Sequence, residues 1–172
     1  SSTSRGLGDV YKRQALGGLL SGWISDKYFQ SRRAPSAFIF FIAQIIIFSI
    51  LGFSPFASTF LGQIISIIGL GLSTMLALGI HGLLSGTAGA DFGGTRGAAT
   101  VVGFVDSFQY FGSGFSGLML GWILNQYGWG PQFTLNGWYW MGALLPCSLF
   151  GALAMLKIWG ANPQSSNQST PR

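Results

Sequence analysis

A single carboxylate, Asp106, lies well inside a long apolar segment of this 172-residue chain. Counted at 1.5 Å per helical residue, it lies about 13 Å beyond the start of that segment at Gly97. A charged side chain at that depth in hydrocarbon is expensive, so such residues typically face the inside of a helical bundle and mark a solute pathway. We interpret Asp106, Tyr110 and His81 as candidate pathway residues. Two alternatives stay open: Asp106 as a structural group bonded to neighbouring hydroxyls, and His81, near the cytoplasmic end of its segment, as a satisfied interfacial histidine.

A second group of charged residues follows Gly22 and comprises Asp26, Lys27, Arg32 and Arg33. The carboxylate of Asp26 could accept hydrogen bonds from a facing helix N-terminus, whose partial positive charge favours an anion. The basic side chains could pair with acidic groups or with lipid phosphates. Gly22 would let the helix end pack closely against a neighbour. The pattern indicates either a gate, whose contacts form in one state and break in the other, or a solvated loop that only sets topology.

The elements that must position these side chains are four long apolar segments: Ser36 to Leu51, Phe60 to Ser85, Gly97 to Leu124 and Trp138 to Lys157. Each is long enough to cross about 30 Å of hydrocarbon as a helix, given some tilt or interfacial anchoring. A fifth segment, Ala15 to Ile24, is too short to span. Only 8% of the residues are charged, against about 25% in ordinary soluble domains. The composition predicts an all-α polytopic membrane helical bundle surrounded by lipid.

The fixed charges alternate along the predicted loops. Segments 26–35 and 86–96 contain basic residues and the last helix ends at Lys157, whereas 52–59 and 125–137 contain no charge. The positive-inside rule therefore places the two charged loops and the C-terminus in the cytoplasm. The opposite side is predicted to carry an aromatic belt, formed by Tyr127, Trp129, Trp138, Tyr139 and Trp140.

Small residues recur at helical spacing on two of the segments. Gly114, Gly117 and Gly121 lie on the same predicted face as Asp106 and Tyr110. Spacings of three and four put residues on one helical face, and small residues there allow close backbone contact between membrane helices. We expect helix packing at these three glycines. The segment from 60 to 85 carries a similar stripe, composed of Gly62, Ser66, Gly69, Ser73 and Ala77.

The stretch from Gly22 to Arg33 resembles the loop signature of the major facilitator superfamily, in which a glycine precedes an aspartate with a basic neighbour and then a basic pair. This chain has extra residues before its basic pair, so the resemblance supports Asp26 more firmly than the basic contacts. The string WISDKYFQSRRAP, residues 23–35, is similar to the organophosphate:phosphate antiporter branch, whose members carry sugar phosphates and glycerol phosphate. A second similarity is to that branch's eleventh helix and its exit, and rests on GAAT at 97–100, Gly103-Phe104, Tyr110-Phe111-Gly112 and Tyr127-Gly128-Trp129.

The resemblance covers residues 15 to about 159 and implies a partial C-terminal half of a twelve-helix transporter, with the end of helix 8 and helices 9 to 12. In that family the substrate sits between two halves that rock to expose it alternately to each side. The family's phosphate-binding arginines lie on helices 1 and 7, so no such residue is expected here. The N-terminal half of the same protein would be the partner of this part.

The resemblance implies a secondary active transporter of the bacterial inner membrane that exchanges an organic phosphate ester for inorganic phosphate. One alternative is a membrane sensor of the same fold, which binds a sugar phosphate and signals to a partner kinase. Another is a facilitator of a different small solute.

Other chemistry has little support in the residues. No His, Cys and carboxylate cluster suits a metal, no motif calls for a cofactor, and no catalytic residues are predicted, so an enzyme is not expected. The basic residues are scattered over separate loops, which argues against nucleic acid. The lone Cys147 is interpreted as a small packing residue.

Both ends of the chain are predicted to lie outside the bundle. Ser1 to Gln14, SSTSRGLGDVYKRQ, changes abruptly to apolar sequence at Ala15 and resembles translated sequencing-adapter read-through; a genuine disordered leader or tag is the alternative. Gly160 to Arg172 is predicted to be a short disordered tail.

Overall fold

The computed structural model of the chain describes residues 17–53, 59–127 and 138–161, without the side chains of 53, 90, 94–96 and 138–143. The predicted leader 1–14, and the predicted tail beyond residue 161, lie outside the described residues.

Every regular element of the described residues is helical, which confirms the predicted all-α fold. The elements are α1 (17–29), α2 (Arg33–Phe53), α3 (Phe60–His81), a π-helical segment (Gly82–Thr87), α4 (Ala88–Tyr127) and α5 (Trp138–Lys157). The bounds of α5 are those predicted. Helix α3 begins after Thr59, whose hydroxyl accepts a hydrogen bond from the backbone N–H of Gly62 at 3.1 Å and so caps the helix.

Two helical stretches of the described residues, Arg33–Gly52 and Phe60–Gly93, are long and apolar enough to cross a membrane. Leu144–Lys157 is a shorter apolar helix. The predicted segment from Gly97 to Leu124 is not among these candidates, because its many glycines and its polar side chains lower the mean hydropathy of α4. Length and composition therefore single out α2 and the α3 region as the strongest spans.

Helix α2 packs against both α3 and α5, and its side chains fill gaps left by glycines in these two neighbours. A Cβ at Gly79 of α3 would lie 2.6 Å from Cε2 of Phe40, and a Cβ at Gly69 would lie 2.9 Å from Cδ2 of Leu51. On the other side, the ring of Phe41 occupies the corresponding space at Gly151 of α5. Helix–helix packing in a bilayer relies on such close van der Waals contact, since hydrocarbon gives little hydrophobic drive.

The predicted small-residue stripe on α3 is buried in part. Gly62 and Ser73 are buried, whereas Ala77 is exposed. Between α2 and α3, Nε2 of the buried Gln44 donates a hydrogen bond to the carbonyl oxygen of Ser73 at 3.2 Å. This bond satisfies an amide group that would be costly to bury alone.

Helix α4 spans Ala88–Tyr127 but is not straight, because the chain changes direction within it. In a straight helix, Gly89 and Val102 would be about 20 Å apart along the axis. Here a Cβ at Gly89 would meet the side chain of Val102, and one at Gly93 would lie 2.6 Å from Cα of Ala98. The chain therefore reverses between Gly93 and Ala98. The predicted loop 86–96 is corrected to a tighter turn, which is possible because Gly93 lacks the side-chain carbon that would collide with Ala98.

Candidate functional site

Three charged segments meet at one end of the bundle, and Arg33 joins them. Its Nη1 lies 2.9 Å from Oδ1 of Asp26, and its Nε lies 2.9 Å from Oδ2 of Asp91. Asp26 is in the last turn of α1, Arg33 begins α2, and Asp91 is in the first turn of α4. Planar guanidinium groups suit this task, because their donors point in fixed directions. We call Asp26, Arg33 and Asp91 the charged network.

The two ion pairs differ in their exposure to solvent. The side chain of Arg33 is 15% exposed, that of Asp91 is 25% exposed and that of Asp26 is 60% exposed. Water screens the pair with Asp26 far more than the pair with Asp91, and exposed ion pairs contribute little to stability. The contact between Arg33 and Asp91 is therefore the stronger of the two.

The turn between α1 and α2 holds the charged network in place. Gln30 and Ser31 adopt left-handed backbone conformations with φ of 52° and 63°, which reverse the chain. The backbone N–H of Ser31 donates to the carbonyl of Ser25 at 3.0 Å, and its hydroxyl donates to Oδ1 of Asp26 at 2.9 Å. Nη1 of Arg33 also donates to the hydroxyl of the buried Ser25 at 3.2 Å. Non-glycine residues with positive φ are uncommon, and these bonds offset their cost.

The other residues of the predicted gate motif have separate contacts. The ammonium group of Lys27 lies 4.5 Å from the ring centroid of Trp23, a cation–π contact. Nε of Arg32 donates to the carbonyl oxygen of Phe29 at 3.3 Å. No atom of the described chain lies within 4 Å of a Cβ placed on Gly22, so the close contact expected there has no partner among these residues.

The contacts of Asp26 among the described residues are close in sequence. Its carboxylate pairs with Arg33 and accepts a hydrogen bond from the hydroxyl of Ser31, and the contact with a facing helix N-terminus stays a prediction. Sequence reasoning did not select Asp91 as a site residue, although it is the only acidic residue of the predicted loop 86–96. Asp91 could have been selected as a partner for the basic residues of the loop 26–35, because both loops are predicted on the same side of the membrane.

A second set of polar side chains lies between α3 and α4. Nδ1 of His81 is hydrogen-bonded to Oε1 of Gln109. Asp106 is one turn before Gln109 on α4, and its Oδ1 is buried without a hydrogen-bond partner among the described residues. We call His81, Asp106 and Gln109 the inner polar cluster. Gln109 was missed by sequence reasoning, although a glutamine three residues after an intramembrane aspartate is a signal for it.

The distance between His81 and the charged network follows from the helical path. The helix continues beyond His81 through the π segment to Gly93, so His81 is ten residues before Asp91. Ten helical residues correspond to about 15 Å, and the position of His81 near the cytoplasmic end of its segment stays a prediction.

Tyr110 and the glycines of the predicted stripe lie on an exposed part of α4. The side chain of Tyr110 is 75% exposed. Among the described residues, no atom lies within 4 Å of a Cβ placed on Gly114, Gly117 or Gly121. The predicted packing at these glycines therefore has no partner in the described chain and stays a prediction, as does the pathway role of Tyr110.

Several predicted features fall outside this description. The side chain of Arg96 is not described, nor are those of Trp129, Trp138, Tyr139 and Trp140 in the predicted aromatic belt. Within the described ranges, no group of three or more His, Cys, Asp or Glu residues could hold a metal ion.

The helical bundle, its apolar spans and its polar groups between helices are those of a polytopic membrane protein. No family model and no solved structure matches the chain. Several curated proteins are similar to it in sequence.

A probable hexose phosphate transport protein of Chlamydia trachomatis is 32% identical over 154 residues, which cover 87% of this chain and 30% of that protein. The glycerol-3-phosphate transporter of Bacillus subtilis is 29% identical over 122 residues, 69% of this chain and 26% of the transporter. The membrane sensor protein UhpC of Escherichia coli is 28% identical over 141 residues, 82% of this chain and 28% of the sensor.

These relatives are members of the organophosphate:phosphate antiporter branch, and the predicted family resemblance is confirmed. The chain belongs to the major facilitator superfamily and is a bacterial membrane protein. It spans about 30% of the length of the Chlamydia trachomatis relative.

Proposed function

We propose that the chain is part of a secondary active transporter that exchanges an organic phosphate ester for inorganic phosphate by alternating access. Similarity to relatives named as hexose phosphate and glycerol-3-phosphate transporters supports the solute class. The chain covers about 30% of the Chlamydia trachomatis relative, which fits a part of a twelve-helix protein. As the family resemblance implies, we assign the chain to the end of helix 8 and helices 9 to 12, with residues 15–159 as the bundle and 160–172 as a tail. The chain would act together with the helices that precede it in the whole protein, and not as an enzyme.

The observation that carries this proposal is the double ion pair of Arg33. It ties the ends of α1, α2 and α4 together at a single side chain. A transporter that alternates between two states needs contacts that hold one state and can break. Since the pairs are partly exposed, water can replace them at modest cost when the helix ends separate. We assign the charged network to a gate that closes one side of the pathway.

The distribution of charge supports a proposal for the side of the membrane. The network lies in the loops that carry the basic residues, and the positive-inside rule places those loops in the cytoplasm. The C-terminal end of α5 lies at the same end of the bundle, because Trp159 packs against Phe29 and Phe38 with ring centroids 6.4 and 5.6 Å apart. We therefore propose a cytoplasmic gate and a cytoplasmic C-terminus in a bacterial inner membrane.

Exchange by the full-length protein in proteoliposomes tests this function. Vesicles loaded with inorganic phosphate should take up labelled phosphate, glucose 6-phosphate or glycerol 3-phosphate, and uptake should stop when the internal phosphate is omitted. Uptake that does not depend on internal phosphate would point to a facilitator of another kind. The complete sequence should also contain an arginine on helix 1 and another on helix 7, as the family resemblance implies.

A second candidate function is favoured by the similarity to the sensor of Escherichia coli. A sensor would bind a sugar phosphate and pass a signal to a partner kinase. Saturable binding of glucose 6-phosphate to the purified full-length protein, without exchange in proteoliposomes, would select this function over transport.

A further inference from the structure

The inner polar cluster places polar side chains between two apolar helices, where membrane proteins normally carry apolar ones. His81 on α3 and Gln109 on α4 are hydrogen-bonded to each other across the two helices. Asp106 is about ten residues beyond the reversal between Gly93 and Ala98, which corresponds to about 15 Å. Ionisable residues within membrane helices are rare, because each must be compensated by a partner, by water or by a ligand.

The cluster has hydrogen-bonding capacity that the described chain does not use. Oδ1 of Asp106 is buried and has no hydrogen-bond partner among the described residues. In the tautomer that carries its proton on Nδ1, His81 donates to Oε1 of Gln109, and Nε2 of the ring is an acceptor. The amide NH₂ of Gln109 is a donor. A carboxylate, an imidazole nitrogen and an amide together can both accept and donate, which matches a group of hydroxyls.

The surroundings of the cluster do not suit a phosphate. The described basic side chains are Lys27, Arg32, Arg33 and Lys157, all at the end of the bundle that holds the charged network. A phosphate placed at Asp106 would meet a carboxylate of its own sign, and the repulsion is strong where water is scarce. A neutral hydroxyl has no such penalty, because it donates a hydrogen bond to the carboxylate.

The backbone next to the cluster is irregular in a way that is frequent at functional sites. The π-helical segment Gly82–Thr87 begins directly after His81. π-Helical turns inside α-helices change the direction of the residues around them and occur often at such sites.

We propose that His81, Asp106 and Gln109 form a subsite for the hydroxyl groups of the organic part of the transported ester, separate from the residues that bind its phosphate. This subsite rests on the proposed function. It determines specificity between substrates, and it leaves the exchange of inorganic phosphate alone unaffected.

The test compares three solutes in one preparation of full-length protein: glucose 6-phosphate, propyl phosphate and inorganic phosphate. Propyl phosphate carries the same charged group and no hydroxyl. In Asp106→Asn proteoliposomes we expect KM for glucose 6-phosphate to rise about tenfold, because the carboxylate that accepts from the hydroxyls becomes a neutral amide. KM for propyl phosphate and the rate of phosphate self-exchange should stay within about twofold of the wild type, since neither solute uses the subsite.

Gln109→Ala is the second variant and should give the same pattern. The ratio between solutes within one preparation does not depend on how much of a variant folds. Ser107→Ala is the control: Ser107 is next to Asp106 in sequence, is exposed, and donates its hydroxyl to the carbonyl oxygen of Gly103 at 2.7 Å. It should leave all three solutes unchanged.

Two results would overturn the inference: one rejects only the hydroxyl subsite, and the other rejects the proposed function as well. If Asp106→Asn and Gln109→Ala weaken glucose 6-phosphate and propyl phosphate equally, the cluster is structural and the hydroxyl subsite is wrong, while phosphate exchange stands. If wild-type vesicles exchange none of the three solutes, the proposed function itself is wrong, and the subsite is lost with it.

Discussion

The charged network and the inner polar cluster differ in how far their polar atoms are satisfied. In the network, each of the two carboxylates has Arg33 within 2.9 Å. In the cluster, His81 and Gln109 bond to each other, but Oδ1 of Asp106 is buried and has no hydrogen-bond partner in the part of the chain that the structure describes. A paired and partly exposed carboxylate contributes to stability, whereas a buried one without a partner reduces it. The network therefore fits contacts that hold helix ends together in one state of the proposed gate, and the cluster fits the proposed hydroxyl subsite.

The largest effect is expected for Arg33→Ala in the full-length protein. The change leaves Asp26 and Asp91 close together without their shared cation. A fully buried pair broken in this way costs about 3–5 kcal/mol, and partial exposure reduces this to about 2 kcal/mol. The melting temperature in detergent and the rate of phosphate exchange should both fall. Lys157→Ala, which removes an exposed positive charge at the end of α5, is the matched control; equal behaviour of the two variants would reduce the network to a surface feature.

Asp91→Asn should have the next largest effect. It removes the less exposed of the two ion pairs and leaves Arg33 with Asp26 and Ser25. We expect a loss of about 1 kcal/mol in stability. Thermal denaturation measured beside Asp26→Asn checks the order, and a larger loss in the Asp26 variant would contradict the ranking by exposure.

Asp26→Asn should have a smaller effect, because its side chain is 60% exposed. Exposed ion pairs contribute roughly 0.2–1 kcal/mol. Expression and membrane insertion should be normal, and exchange should slow by less than about fivefold, the factor that 1 kcal/mol corresponds to. Exchange at the wild-type rate would leave this loop as a topology signal only.

The smallest effect on stability is expected for Asp106→Asn, and its sign should differ. The carboxylate has one oxygen, Oδ1, that is buried with no hydrogen-bond partner among the described residues, so removing its charge should leave the melting temperature unchanged or raise it slightly. The measurement is thermal denaturation without substrate. A clear decrease would mean that Asp106 is a structural group bonded to neighbouring helices, the alternative that its position in an apolar segment leaves open.

The sequence predicts the helices and the charged loops well, and it predicts the contacts between them less well. Trp138 and Lys157 delimit α5 as predicted, and α3 begins at Phe60 as predicted, because long apolar runs and a capping threonine are local signals. The predicted loop from 86 to 96 is longer than the observed turn between Gly93 and Ala98, because glycines and charged residues generally predict irregular chain. The helix continues to Gly93, and only the absence of a side chain there allows the sharp reversal.

The residues of the charged network and of the inner polar cluster also differ in whether local sequence signals predict them. The spacing of Asp26 and Arg33 selected both for the gate motif, but Asp91 is 58 residues from Arg33 and no local pattern links them. Asp106 was selected because a carboxylate is rare in an apolar segment. Gln109 became part of a site only through its bond to His81, 28 residues away.

The sequence by itself therefore determined that this is an all-helical membrane bundle of the major facilitator superfamily, because hydrophobic length, charge position and the signature loop are properties of neighbouring residues. Only the tertiary structure decided that Arg33 bridges two carboxylates and that His81 bonds to Gln109 of α4. Such contacts depend on where the chain reverses and on which helix faces meet. The first depends on the close approach of Gly93 and Ala98, and the second on packing between residues far apart in the chain, such as Phe40 against Gly79.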